Sequence, residues 1–238
     1  GHGFLGLVCA NFLIEHGATH LVLLSRNPKS VEEIPQLASL RESAKVQSLS
    51  CDVSKESSVN EVSTFLKENN WPSIGGVFHT AGVLTDGIFT NQTVEKLHHA
   101  YEAKVHGAHN LRNLLTPKDF FVLFSSAAAT FGSPGQASYA AANATLDALA
   151  QKWSQEGERV LSIQWGAWSD GGMAVRHDAV KRAEATGFGS ISNTLGENVL
   201  KKLLSEGVVG TICISPINWD LINLEIPLIS RFITKNLY

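Results

Sequence analysis

The sequence predicts an α/β fold in which a doubly wound parallel sheet carries helices on both faces. Three observations support this prediction. Short apolar segments with strand character alternate with longer segments of helical periodicity along the 238 residues. The chain begins on a glycine-rich turn, GHGFLG, that leads directly into a helical pattern. Residues 124–150 have the pattern of a buried strand end, a loop and a long helix, an order typical of the functional edge of an open parallel sheet.

The spacing of apolar residues gives each element in chain order. Apolar residues recur at helical spacing from Leu5 to His16, and Gly17 ends this first helix. The predicted strands are 20–24, 46–51, 76–79, 120–125, 159–165 and 211–214, and the other predicted helices are 31–41, 57–68, 93–115, 138–156 and 195–204. Thr93 is suited to cap the long helix that carries Lys104 near its middle.

The chain contains no internal repeat and no linker, so residues 1–238 are predicted to form a single domain. In such a fold an apolar strand should precede the glycine turn and occupy the middle of the sheet. No such strand precedes Gly1. We therefore expect an N-terminally truncated first strand and a chain that is a fragment of a larger multidomain polypeptide.

Composition excludes several classes of function. The 19 basic and 22 acidic side chains are interspersed and give a net charge of −3, which disfavours a nucleic-acid partner. No apolar run approaches the ~18 residues that a membrane span needs. The three cysteines, Cys9, Cys51 and Cys213, are widely spaced and form no metal-type or redox pair, which favours the reducing cytoplasm. No metal site is assigned.

The glycine turn predicts a phosphate-binding site. Gly1, Gly3 and Gly6 make a GxGxxG pattern, which lets backbone N–H groups approach a pyrophosphate at a helix N-terminus. A glycine-rich helix entry without a ligand is the alternative interpretation of this motif.

The end of the second strand predicts which dinucleotide is bound. An NAD-binding protein would carry a carboxylate there for the ribose 2′-hydroxyl, whereas this chain has Ser25 and Arg26. A hydroxyl and a guanidinium suit a 2′-phosphate, so NADPH is predicted as the cofactor. Asp52, after the next strand, could accept a hydrogen bond from the adenine amino group or simply cap its own turn. Ala81 and Gly82 are small enough for the cofactor to pass close to the backbone.

Four polar side chains predict the chemistry. Ser126 ends a strand, Tyr139 opens a helix, and Asn143 lies one turn later on the same helical face. A phenol with a pKa near ~10 is suited to donate a proton to a developing alkoxide, and a nearby ammonium from Lys104 would lower that pKa. Each residue also has an ordinary structural explanation, as a helix-start aromatic, a strand-end cap or a solvated charge. Together with the nucleotide turn they indicate a reductase.

The chain resembles the ketoreductase domains of type I polyketide synthases, within the short-chain dehydrogenase/reductase superfamily, whose sheet is Rossmann-like. The matching segments are GHGFLG, LVLLSR, CDV, HTAGVLTDG, FSS, GSPGQASYAAANATLDALA, WGAWSDGGMA and INW. The resemblance places Val53 with the cofactor-binding residues. It assigns the catalytic roles to Lys104, Ser126, Tyr139 and Asn143, with lysine and asparagine exchanged relative to most of the superfamily. Phe4 departs from the family pattern, where glycine is common.

The resemblance also implies a substrate and partners. The substrate is a β-ketoacyl thioester tethered by phosphopantetheine to an acyl carrier protein, and neighbouring synthase domains are the other partners. Leu84-Thr85-Asp86 keeps the last residue of a motif associated with the 3R alcohol. Phe131 stands where the opposite type has tryptophan, so a 3R product is expected; a simple turn is the alternative role for Asp86.

Residues 169–192 resemble the family's mobile lid, and Gly172 and Met173 match its glycine–methionine pair. Three alternatives to an active polyketide ketoreductase remain: the equivalent domain of a type I fatty acid synthase, a catalytically silent structural domain of a megasynthase, and a stand-alone dehydrogenase that acts on free alcohols.

Overall fold

A computed structural model describes residues 1–30, 33–35, 43–172, 175 and 179–221. Its strands are β1 (His20–Ser25), β2 (Lys45–Ser50), β3 (Gly76–His79), β4 (Phe120–Ser126), β5 (Val160–Trp165), β6 (Ala167–Trp168), β7 (Ser190–Ile191) and β8 (Gly210–Ile214). Its α-helices are α1 (Phe4–Glu15), α2 (Glu56–Glu68), α3 (Val94–Tyr101), α4 (Gly107–Leu115), α5 (Ala128–Phe131), α6 (Ala137–Gln155), α7 (Ala179–Ala185) and α8 (Asn193–Ser205). A π-helical turn, Glu102–His106, joins α3 to α4. The helix predicted over 31–41 falls mostly outside the described residues.

The described strands form a parallel sheet in two parts. β1 pairs with β2, and β3, β4, β5 and β8 pair in that order. Within the described ranges, no strand pairs with the second edge of β1 or of β3. A separate short parallel pair, β6 with β7, ties the segment after β5 to the start of α8.

Helices cover both faces and join the two parts into one layer. On one face α1 contacts both parts: Phe12 packs edge-on against Phe78 of β3 at 6.4 Å, and Ile14 lies in a cluster with Leu21 and Leu23 of β1. On the other face, residues of α2, α4 and α6 share a single buried core with Phe121 of β4 and the inner residues of β1. This arrangement confirms the predicted fold class.

The central strands are apolar on both faces because helices cover both. Val122 and Leu123 of β4 are fully buried, and every residue of β5 is buried, as parallel strands require. The six predicted strands lie within one residue of their observed bounds. The short elements β6, β7 and α5 were not predicted, since two to four residues show no periodicity. In the described part of the chain, no helix is both long and apolar enough to cross a bilayer.

Candidate active site

The candidate catalytic residues meet at the carboxyl edge of the sheet. Parallel strands end at the same edge, so Ser25 of β1, His79 of β3 and Ser126 of β4 all lie at the carboxyl edge of the sheet. Helix α6 begins at Ala137 and brings Tyr139 to this edge within its first turn.

The side chains of Ser126 and Asn143 lie close enough to the Tyr139 phenol to lower its pKa. The Asn143 amide Nδ2 also donates to the Tyr139 carbonyl at 2.8 Å, and this side chain is fully buried. The Ser126 hydroxyl accepts from the Ala128 N–H at 3.2 Å, so α5 orients it.

The surroundings of Tyr139 favour its protonated form. Burial raises the pKa of the phenol more than the hydrogen bonds from Ser126 and Asn143 lower it, and the Asp86 carboxylate raises it further. The net result is a raised pKa, although a nearby ammonium was expected to lower it. The Lys104 ammonium lies over the ring face, 5.6 Å from the ring centre. A protonated phenol is the form that donates a proton.

Lys104 is buried, with 4% of its surface exposed. Its Nζ donates to the Phe124 carbonyl of β4 at 2.8 Å. Burial lowers the pKa of this lysine to about 8, and the Asp147 carboxylate opposes that shift. Lys104 therefore remains mostly cationic at neutral pH, although its ammonium is shielded from water.

The predicted single helix over 93–115 is interrupted at the lysine. Thr93 caps α3 as expected, since its hydroxyl accepts from the Lys96 N–H at 3.3 Å. The π-helical turn then widens the helix around Lys104 before α4 continues. Such single turns insert one extra residue and are frequent at functional sites.

A buried carboxylate lies behind the site. Asp147 is one helical turn beyond Asn143, and its two oxygens accept from Ser162 Oγ at 2.6 Å and Gln164 Nε2 at 2.7 Å. Gln164 in turn accepts from the Thr130 hydroxyl at 2.7 Å, so this network extends from α6 through β5 to α5. The residue was not predicted, although its i+4 spacing from Asn143 places it on the same helical face.

The glycine turn has the shape of a phosphate-binding cradle. A Cβ atom at Gly6 would lie 2.2 Å from the Gly1 carbonyl oxygen, and one at Gly1 would lie 2.7 Å from the Leu24 nitrogen, so neither position admits a side chain. Gly3 is the N-cap of α1, no side chain caps the helix, and the space beside Gly3 is open. A 12-residue helix that begins at an open glycine, without a side-chain cap, fits the binding of a diphosphate at its N-terminus.

The predicted 2′-phosphate residues lie at the end of β1. Arg26 is exposed, and it is near enough to help lower the pKa of Asp52. Burial opposes that lowering, but hydrogen bonds from the Ser54 N–H at 3.1 Å and hydroxyl at 2.7 Å, both to Oδ1, outweigh it. Asp52 therefore caps its own turn at that oxygen. Ser25 Oγ accepts from the Asn27 N–H at 3.3 Å.

His2 was not predicted to contribute to this region. Its Nδ1 accepts from the Lys29 N–H at 3.0 Å, so Nε2 carries the proton and donates to Ser48 Oγ at 2.9 Å. His2 thereby fastens the glycine turn to β2 and to the loop after Arg26. In the sequence, only its position inside the GHGFLG turn indicates that His2 lies in this region.

The remaining predicted cofactor residues are held near these groups. The Val53 carbonyl accepts from Asn110 Nδ2 at 2.9 Å, and its side chain packs against Gly107. Ala81 and Gly82 lie half-buried in the loop that follows β3.

Asp86 lies at the mouth of the site and is more than a turn residue. Both of its oxygens accept from Gln136 Nε2, at 3.1 and 3.2 Å, just before α6 begins. The Gly87 N–H donates to the Gly135 carbonyl at 2.8 Å, which fixes the two loops together. Gln136 was not predicted, although it stands three residues before Tyr139 in the GSPGQASY segment.

The region that resembles a lid contacts both halves of the site. Phe131 packs against Phe188 with ring centres 5.0 Å apart. The Phe4 ring lies against Gly171 and Gly172, where an added Cβ would come within 2.6 and 3.2 Å of ring atoms. Met173 lies outside the described residues.

Comparison with known proteins identifies the family. The family model for the KR domain matches residues 1–170. The chain is 36% identical over 208 residues to a 6-methylsalicylic acid synthase from Arthrobotrys oligospora, covering 81% of this chain and 12% of that protein. It is 33% identical over 228 residues to the polyketide synthase GfsA from Streptomyces halstedii, covering 92% of this chain and 3% of that protein. The chain thus spans a small fraction of the length of these relatives.

Solved structures agree with this assignment. The ketoreductase from the first module of phoslactomycin biosynthesis in Streptomyces sp. HK803 superimposes with a TM-score of 0.85 at 30% identity, covering 94% of this chain and 53% of that one. An A-type ketoreductase from a modular polyketide synthase gives a TM-score of 0.81 at 32% identity, covering 98% and 48%. The fold is that of Rossmann-like oxidoreductases that use a nicotinamide cofactor. The chain therefore belongs to the KR domain family, the ketoreductase domains of polyketide synthases.

Proposed function

We propose that this protein reduces the β-ketone of a β-ketoacyl thioester, carried by an acyl carrier protein, to the β-hydroxyacyl thioester with NADPH. One observation carries the proposal: a protonated buried phenol, a serine hydroxyl and a buried ammonium converge at the sheet edge that also holds the glycine turn. Residues Gly1, Gly3 and Gly6 would hold the diphosphate, and Ser25 and Arg26 the 2′-phosphate.

NADPH, when bound, supplies the hydride that is added to the carbonyl carbon. The protein's own residues orient and protonate the carbonyl oxygen of the substrate. The Ser126 hydroxyl donates a hydrogen bond to that oxygen and orients it, and the Tyr139 phenol transfers its proton to it as negative charge develops. The product is a neutral alcohol, and the phenolate that remains is stabilised by the ammonium of Lys104 over its ring. Asn143 fixes the tyrosine through its backbone carbonyl.

The substrate would enter past Asp86 and Phe131. The Asp86–Gln136 contact and the Phe131–Phe188 contact would flank this entrance. We propose a 3R product, because Asp86 keeps the last position of the associated motif and Phe131 replaces the tryptophan of the opposite type. The tethered phosphopantetheine arm and the neighbouring synthase domains belong to the same proposal, as does a cytoplasmic location.

The test is NADPH oxidation by the protein with a β-ketoacyl N-acetylcysteamine thioester, followed by chiral chromatography of the product. We expect turnover that depends on the ketone, with mainly 3R alcohol. A protein that binds NADPH but never turns over would instead be a silent structural domain. Mainly 3S alcohol would overturn the stereochemical assignment alone.

A further inference from the structure

A buried histidine forms a hydrogen bond to the backbone of the π-helical turn that carries Lys104. His79 is the last residue of β3 and has 1% of its surface exposed. Its Nε2 lies 2.9 Å from the Lys104 carbonyl oxygen. Because a carbonyl oxygen only accepts, Nε2 carries the proton and donates it. A side chain from the sheet thus reaches the backbone of the residue whose ammonium lies over Tyr139.

The turn and the histidine fit together closely. A Cβ atom at Gly107, the first residue of α4, would lie 3.0 Å from His79 Cε1 and 2.9 Å from Val53 Cγ2. Glycine at this position therefore makes room for the imidazole under the helix. Packing thus explains the glycine at position 107, because the His79 ring that bonds to Lys104 occupies the space a side chain would need.

The imidazole keeps one protonation state over the working range. Burial and then the Lys104 ammonium lower the pKa of His79 to about 4. The neutral ring is thus a constant donor near neutral pH.

The π-helical turn determines the direction in which the Lys104 side chain leaves the helix. A π-helical turn inserts one residue, and each residue of an α-helix rotates the chain by about 100°. If the turn relaxed to regular α-helix, Lys104 would rotate by that angle relative to one flanking helix. Its Nζ could then no longer bond to the Phe124 carbonyl and face the Tyr139 ring together.

We propose that His79 is a positioning residue for Lys104: its hydrogen bond to the Lys104 carbonyl holds the π-helical turn and so places the ammonium at the tyrosine. The inference rests on the proposed function for its catalytic consequence, whereas its structural part stands by itself. It assigns a role to the first residue of the HTAG segment.

Two variants of similar polarity separate positioning from general stability. In His79→Gln the side-chain amide nitrogen reaches about as far as Nε2, whereas in His79→Asn it falls short. Phe78→Leu, at the neighbouring residue in β3, perturbs a different part of the core and serves as control. Gly107→Ala displaces the ring while keeping the histidine, and provides a second route to the same loss.

The first readout needs no activity. Hydrogen–deuterium exchange of the backbone amides in 102–107 should accelerate at least 10-fold in His79→Asn and Gly107→Ala, while His79→Gln and Phe78→Leu keep the protection of the unmodified protein. The second readout is kinetic. We expect kcat to fall by about 10- to 100-fold in His79→Asn, as for a misplaced catalytic group, with the Kd for NADPH unchanged.

Each result decides a separate question. Failure of the unmodified protein to reduce the ketone would remove the proposed function, and the exchange experiment would still test the positioning. Equal exchange and equal kcat in the asparagine and glutamine variants, or equal losses in Phe78→Leu, would overturn the role of His79.

Discussion

The ammonium nitrogen of Lys104 lies 5.6 Å from the centre of the Tyr139 ring, and it donates to the Phe124 carbonyl at 2.8 Å. The lysine thus faces the aromatic ring, and its hydrogen bond goes to the backbone of β4. Its influence on the tyrosine is electrostatic. Because the ammonium is buried, water screens that influence weakly.

The charge of Lys104 should lower stability in a pH-dependent way. Its pKa is about 8 in the folded protein against 10.5 as the ordinary value. The unfolded chain thus binds this proton more tightly, so the free energy of unfolding should rise as pH increases through this window. Relative to Lys104→Met, the unmodified protein should gain about 2 kcal/mol between pH 7 and pH 10 in urea denaturation.

The comparison with Lys104→Met cancels the groups that titrate alike in both proteins. A stability difference that stays constant or shrinks for the unmodified protein over this range would mean that the lysine is not buried as described. The same variant should lose ketone reduction at neutral pH.

Arg26 should determine the preference for NADPH over NADH. Arg26→Ala removes a charge-assisted hydrogen bond to the 2′-phosphate, so kcat/KM with NADPH should fall by about 10- to 100-fold while kcat/KM with NADH changes little. Lys29→Ala, an exposed cation three residues later, is the matched control and should have a small effect. Equal losses with both cofactors would show that Arg26 does not contact the phosphate.

The buried carboxylate of Asp147 should support the fold behind the site. Asp147→Ala leaves Ser162 and Gln164 without their acceptor, and we expect a loss of about 3 kcal/mol in the free energy of unfolding. Asp147→Asn should lose less, about 1 kcal/mol, because the Gln164 amide can turn over and the Thr130 hydroxyl can reverse its hydrogen bond. Equal losses in denaturant titrations would contradict this hydrogen-bond account.

Much of this molecule was predictable from its sequence because the strands are short apolar runs between turn signals. β4 and β5 are buried on both faces and have no polar periodicity, so their length and flanking residues located them. Ser126 and Tyr139 were predictable because strand ends and helix starts of a parallel sheet meet at one edge.

Other features depend on contacts that local pattern does not encode. Residues 93–115 have the pattern of one continuous helix, and the hydrogen bond to the π-helical turn at Lys104 comes from His79 on a distant strand. The raised pKa of Tyr139 follows mainly from burial, which only the packed fold shows. Gln136 meets Asp86 across 50 residues of sequence, so only the folded chain shows that pair.

The role of Tyr139 as proton donor is tested most directly by Tyr139→Phe, which removes a single oxygen atom from the site. NADPH binding is measured by fluorescence of the reduced nicotinamide, and turnover with the β-ketoacyl N-acetylcysteamine thioester under the same conditions. We predict an unchanged Kd for NADPH and a kcat lower by at least about 100-fold, since the proton donor is lost. Retention of kcat in this variant would contradict the assignment of the phenol as the proton donor.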